Sequence, residues 1–168
     1  MNWPAVKQFH SEVAAELVSA AQRVPPEKWL LPRHEGKWCP AQVVEHLNLA
    51  YDVLLRELAG GEGMKIRTKF LRRMLLRWTI MPRLMRGAPF PPGVPAPREI
   101  RGPVANADQA AAIASFADRA MRLETAAAQA EEKGGVRLTH AYFGKSSVVQ
   151  GILLCAQHIR HHRKQLVE

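Results

Sequence analysis

GAPFPPGVPAPREIRGPV, residues 87 to 104, is the stretch on which the fold turns. Its repeated prolines forbid regular helix and favour extended, polyproline-like chain, so it reads as a crossover wrapped over the surface. A link of this length can join parallel neighbours in a helical bundle, whereas short loops join antiparallel ones. On its N-terminal side, residues 64 to 86, MKIRTKFLRRMLLRWTIMPRLMR, alternate basic and bulky apolar side chains, which predicts an amphipathic helix interrupted by Pro82. Further back, Val6, Phe9, Val13, Leu17 and Ala20/Ala21 recur at helical spacing until Pro25-Pro26, so residues 2 to 23 read as a first helix. A second begins at Cys39-Pro40-Ala41-Gln42, with proline at the first helical position and Gln42 placed to reach back, and runs to about Ala59 before Gly60-Gly61.

On the C-terminal side, Asn106 with Gln109 resembles a capping box opening a third long helix that lasts until Gly134-Gly135. Ser147 and Gln150 repeat the arrangement for a fourth. No stretch alternates convincingly as a strand. Four main helices and one long basic, proline-rich crossover between the second and third therefore predict an all-α bundle. With 168 residues and 47% hydrophobic content, the expectation is one domain, residues 1 to 168, carrying an insertion over about 61 to 105.

The formal charge is +9, and it is unevenly placed. Residues 64 to 103 hold ten Lys/Arg against Glu99 alone, while the remainder balances at fourteen of each sign. A neutral body with one basic insertion points to a local surface, lid or anchor rather than to nucleic acid, for which no groove-reading motif is present. The two cysteines, Cys39 and Cys155, fall at or inside helices. With no signal peptide and no apolar run long enough to cross a bilayer, a cytoplasmic protein with reduced thiols is expected.

The chemistry-bearing residues are histidines. His158 and His162 lie four apart on a strip with Gly151 and Leu154/Cys155, so one helical face can aim both rings at a single ion. The alternative is a histidine-rich, solvated helix end favoured by the helix dipole. His46 shares the inward stripe of Val43, Ala50, Val53 and Leu54, where a hydrogen-bonded core histidine is the ordinary reading and a ligand the sharper one. His161 suits the rim of such a site. No Glu follows His158, so the H-E-x-x-H motif of zincin proteases is absent. Cys155 reads as core packing.

Three fragments tie these residues together: Gly36-Lys37-Trp38-Cys39-Pro40-Ala41-Gln42-Val43-Val44-Glu45-His46-Leu47, the turn His140-Ala141-Tyr142-Phe143-Gly144, and His158-x-x-His161-His162-x-x-Gln165. In that combination the chain resembles the DinB/YfiT-like superfamily. The resemblance implies a four-helix bundle of up-down-down-up connectivity and a divalent metal, zinc, nickel or manganese, held by His46, His158 and His162. By position, His140, His161 and Gln165 are candidates to support a ligand or substrate, although a loop histidine such as His140 has many simpler uses. Described members include S-transferases that use low-molecular-weight thiols and proteins once labelled metal-dependent hydrolases, and many have no known activity. The chain departs from the pattern at Cys39, where Ser or Thr usually caps, and at Ala141, where proline often follows the histidine.

A metal with open positions can lower the pKa of a bound thiol or water near neutrality, so the leading expectation is a thiol-dependent transferase acting on a small molecule. A hydrolase using metal-bound water is the alternative. Arg67, Arg72, Arg73 and Arg77 are candidate anion-binding residues for such a substrate or thiol. The plainer reading of their segment is a solvated basic face around a Phe70, Leu71, Met74, Leu75, Trp78 stripe packed on the bundle. A non-catalytic bundle that binds an anionic membrane surface through residues 64 to 86 ranks third. A homodimer is the expected assembly if any.

Overall fold

The computed structural model describes residues 1–91, 94–101 and 103–167. Helix α1 (Trp3–Gln22) opens where the Asn2 side chain accepts the Ala5 N–H at 3.2 Å, and its buried stripe is Val6, His10, Val13, Leu17 and Ala20. Helix α2 (Pro40–Leu58) starts as expected: Gln42 Oε1 accepts the Cys39 N–H at 3.1 Å. Gly60, with φ of 89°, takes the left-handed conformation that ends it.

The basic segment forms two short helices, α3 (Phe70–Thr79) and α4 (Met81–Met85), with Pro82 in the first turn of the second, where its missing N–H costs nothing. The crossover that follows has no regular structure among its described residues except a 3-10 turn at Arg98–Ile100. The part of that expectation falling on Pro92, Gly93 and Gly102 lies outside the described residues.

Helix α5 (Gln109–Lys133) corrects one expectation. Asp108 caps it, accepting the Ala111 N–H at 2.9 Å, while Asn106 forms a turn to the Asp108 N–H at 3.0 Å. Gln109 points across the bundle and donates to the Ala21 and Val24 carbonyls at 2.8 and 2.9 Å. A tertiary contact to the end of α1 thus takes the side chain that a capping box would use. A second correction is a hairpin. Strand β1 (Arg137–His140) pairs antiparallel with β2 (Gly144–Ser147), in register from Arg137 against Ser147 to His140 against Gly144. Four residues carry too little alternation to be read in sequence. The hairpin is held from outside: the Glu57 carboxylate accepts the Thr139 N–H at 2.8 Å and its hydroxyl at 2.6 Å.

Helix α6 (Val148–Val167) begins with the expected reciprocal pair, Ser147 N–H to Gln150 Oε1 at 3.3 Å and Gln150 N–H to Ser147 Oγ at 3.2 Å. The four long helices share one core, in which Leu17, Leu47, Phe116, Leu123, Ile152 and Ile159 are almost wholly buried. α1 packs chiefly on α6 and α5, and α2 chiefly on α5. A polar chain crosses this core: Tyr51 OH lies 3.0 Å from His10 Nε2, and His10 Nδ1 lies 2.8 Å from Glu124, which also accepts from Ser11 at 2.6 Å. Burial alone would raise the Glu124 pKa, but the hydrogen bonds from His10 and Ser11 hold it below the usual value. Among the described residues, no helix is long and apolar enough to cross a membrane.

The orientation of α3 is a third correction. Its apolar stripe does not pack on the bundle. Phe70, Leu71, Leu75 and Trp78 are exposed at 64, 81, 62 and 75%. The inward side carries Leu76, packed against Met81, Leu84, Phe143 and Leu154, together with Arg73, which donates to the Thr68 carbonyl at 3.2 Å, and Arg77, which donates to Phe143 and Lys145 carbonyls at 3.4 and 2.6 Å. The hairpin presents the Phe143 and Lys145 carbonyls to this helix, and the Arg77 guanidinium can pair them where a leucine could not.

Candidate metal centre

The inward stripe of α2 carries His46 to 2% exposure, and two turns of α6 carry His158 and His162 to the same point. His46 Nε2 lies 3.1 Å from His158 Nε2, which lies 2.9 Å from His162 Nε2. One ring nitrogen from each residue falls within 4.8 Å of the other two. This trio is the only group of its kind among the described residues.

Hydrogen bonds at the far side of two rings decide which nitrogens face inward as lone pairs. His46 Nδ1 sits 2.8 Å from the Ile100 carbonyl, which can only accept, so Nδ1 carries the proton and Nε2 is a free electron-pair donor. His162 Nδ1 sits 2.9 Å from Gln165 Oε1, with the same consequence. Two lone pairs therefore face His158, whose neutral ring has one N–H to offer and leaves at least one donor uncompensated. A cation satisfies all three.

Two of the three separations fit as well. Metal–nitrogen bonds of about 2.0–2.1 Å at angles between 90° and tetrahedral place ligand nitrogens about 2.9–3.4 Å apart, which brackets the two Nε2 separations. Protonation states agree with ligation. Burial lowers the His158 pKa well below its ordinary value, with repulsion from His162 and His46 adding to it. Burial pushes His162 down to about 3, reinforced by His46 and opposed by the Gln165 hydrogen bond. Burial also lowers His46, against the Ile100 hydrogen bond that raises it. All three are neutral at pH 7, the form that binds metal.

Aromatic rings border the cluster. Trp38 packs 4.7 Å from His46 and stacks at 6.2 Å on His162, while Phe90 lies 5.7 Å from His158 and 5.3 Å from His161. Phe90 comes from the crossover, whose start is tied to α6 by Arg160 donating to the Gly87 carbonyl at 3.0 Å, next to Gln157 donating to the Met85 carbonyl at the end of α4 at 3.3 Å. Sequence reasoning gave Phe90 and the Ile100 carbonyl no role. No local pattern marks a loop residue or a backbone oxygen that reaches the site only through the crossover's path.

The remaining expected residues divide. Half-buried His161 sits beside His162 with ring centroids 5.1 Å apart, and Gln165 holds His162. His140 lies in the hairpin, where its Nδ1 accepts the Tyr142 N–H at 3.2 Å and its ring stacks on Phe143 at 4.6 Å; burial holds its pKa at about 4. Of the four arginines, Arg73 and Arg77 are engaged with carbonyls, Arg67 pairs with Glu99 at 3.8 Å, and Arg72 projects into solvent. The Cys155 thiol is buried and pushed up to about 12, so at neutral pH it is a packing group rather than a thiolate.

A sequence model of the DinB superfamily matches residues 10–166. No curated protein and no solved structure matches the chain.

Proposed function

A chain matched over that span belongs to the DinB superfamily, and from that premise we propose that it is a metal-dependent enzyme whose divalent ion is held by His46, His158 and His162. The observation that carries this is the convergence of three Nε2 atoms, with two of the rings fixed as lone-pair donors by Ile100 and Gln165. The bound ion would supply a site at which a small thiol or a water loses its proton near neutral pH. We read the reaction as S-transfer from a low-molecular-weight thiol to a small electrophile, in a single-domain, cytoplasmic four-helix bundle of up-down-down-up connectivity. The long connection between α2 and α5, with its largely irregular stretch after α4, supports that connectivity.

The chain's own residues do the positioning. The Ile100 carbonyl and Gln165 hold two imidazoles in one tautomer and orientation. Trp38 and Phe90 wall the cluster with apolar surface, which excludes bulk water and favours a reactant with an apolar or planar portion. His161, at the rim, is placed to accept or release a proton as reactants enter.

Metal content is the first test. Tag-free protein purified without chelator is expected to hold about one divalent ion per chain, and His46→Ala and His158→Ala to hold none. A wild-type chain that takes up neither zinc, nickel nor manganese ends the reading. Turnover of an electrophile that depends on added thiol separates the transferase from the hydrolase alternative, which needs water alone.

A further inference from the structure

Helix α3 leaves its four most exposed apolar side chains, Phe70, Leu71, Leu75 and Trp78, on the outer side. Leu71, Leu75 and Trp78 form one strip at helical spacing, and with Phe70 beside them they face solvent at 62 to 81% exposure. The helix cannot roll to hide them, because on its opposite side Arg77 donates to the Phe143 and Lys145 carbonyls of the hairpin and Leu76 packs against Met81, Leu84, Phe143 and Leu154. The segment leading into it is also fixed: the Arg67 N–H bonds the Ala141 carbonyl at 2.8 Å and the Thr68 hydroxyl bonds the Tyr142 carbonyl at 3.0 Å. The apolar strip is therefore a built feature of the resting protein.

Its surroundings indicate what covers it. In sequence the strip is bracketed by Lys65 and Lys69 before it, Arg72 within it and Arg83 and Arg86 after it, all exposed, and among the described residues none of them is in an ion pair. Glu99, the lone acid between residues 64 and 103, already accepts the Lys65 N–H and pairs with Arg67. A second copy of the chain docked symmetrically on this face would bring two sets of cations together. An anionic bilayer surface instead offers hydrocarbon to the leucines, an interfacial layer suited to tryptophan, and negative headgroups to the cations.

We infer that α3 is an interfacial anchor by which the protein docks on anionic lipid membranes, lying on the surface rather than crossing it. The face is distinct from the imidazole cluster, so docking does not depend on the metal reading. Each cation brought to such a surface contributes about a fivefold gain in partitioning at low salt, and the gain shrinks as salt screens it.

The test is flotation of the full chain with vesicles of phosphatidylcholine, with and without phosphatidylglycerol, in low and high salt. Wild-type protein is expected to float only with the anionic vesicles and at low salt. Trp78, exposed in the free protein, is expected to shift its emission to shorter wavelength on binding, and Trp78→Phe to abolish that shift. Leu71→Gln/Leu75→Gln alters solvent-facing side chains, leaves the fold and metal content intact, and is expected to lose most of the flotation. Wild-type protein that stays with the buffer, or a double variant that floats as well as wild type, overturns the inference. So does a dimer in sedimentation velocity that the double variant dissociates, because the strip is then an interface between copies.

Discussion

Replacing Gln165 tests the metal centre without touching a ligand. Its Oε1 accepts from His162 Nδ1 at 2.9 Å, which fixes the tautomer that presents Nε2 to the ion. Loss of such a supporting partner lowers metal affinity by about 10- to 100-fold. Gln165 is exposed on the last turns of α6, so water can take its place, whereas the bond from His46 to the Ile100 carbonyl is buried. Gln165→Ala is therefore expected at the lower end, about tenfold weaker, or about 1.4 kcal/mol. Gln165→Glu should act in the opposite direction, because a carboxylate facing the Nδ1–H makes Nε2 a stronger donor. Zinc competition against a chelator of known affinity reads both changes. Neither substitution removes a buried group, so urea midpoints of the metal-free proteins should shift by less than about 0.5 kcal/mol. Equal affinity across wild type, Gln165→Ala and Gln165→Glu would refute the claim that this hydrogen bond prepares His162 for the ion.

Tyr51→Phe leaves the buried His10 Nε2 without its partner and should destabilise the fold by about 1–3 kcal/mol in urea; an unchanged midpoint would mean that the polar chain across the core is idle. The metal-free protein should weaken in mild acid. His140 is held at about 4 against an ordinary 6.5, so between those values the unfolded chain binds more protons, and stability falls as pH falls. From His140 alone, the loss between pH 7 and pH 5 is of order 2 kcal/mol, and a flat urea midpoint over that range would contradict its burial. Gly151→Ala would set a Cβ 2.7 Å from Leu138 Cδ1 and 3.0 Å from its Cβ, at an expected cost of about 1–3 kcal/mol in thermal unfolding; an unaltered midpoint would show that the hairpin moves freely against α6.

Local signals carried the long helices. Proline at the start of α2, Gln42 reaching back to Cys39, the Ser147/Gln150 pair and the stripe of α1 each act through neighbours three or four residues away, and the structure keeps them all. Asn106/Gln109 had the same appearance and failed, because Gln109 found two carbonyls at the end of α1 that sequence spacing does not reveal. The hairpin was missed for a related reason: Glu57, more than eighty residues before Thr139, grips it.

The candidate site divides along the same line. Sequence by itself determined that His158 and His162 share a face and that His46 points inward, because helical periodicity is a property of the local chain. Only the tertiary structure decided that α2 and α6 bring the three Nε2 atoms together, that Ile100 and Phe90 reach them from the crossover, and that α3 turns its leucines outward. Those outcomes depend on contacts between residues far apart in the chain. For α3 the local pattern even pointed the other way. An amphipathic stripe predicts that one face is buried, but Arg77 took the inward position to meet the Phe143 and Lys145 carbonyls of the hairpin, Arg73 turned to the Thr68 carbonyl, and Phe70, Leu71, Leu75 and Trp78 were left to solvent.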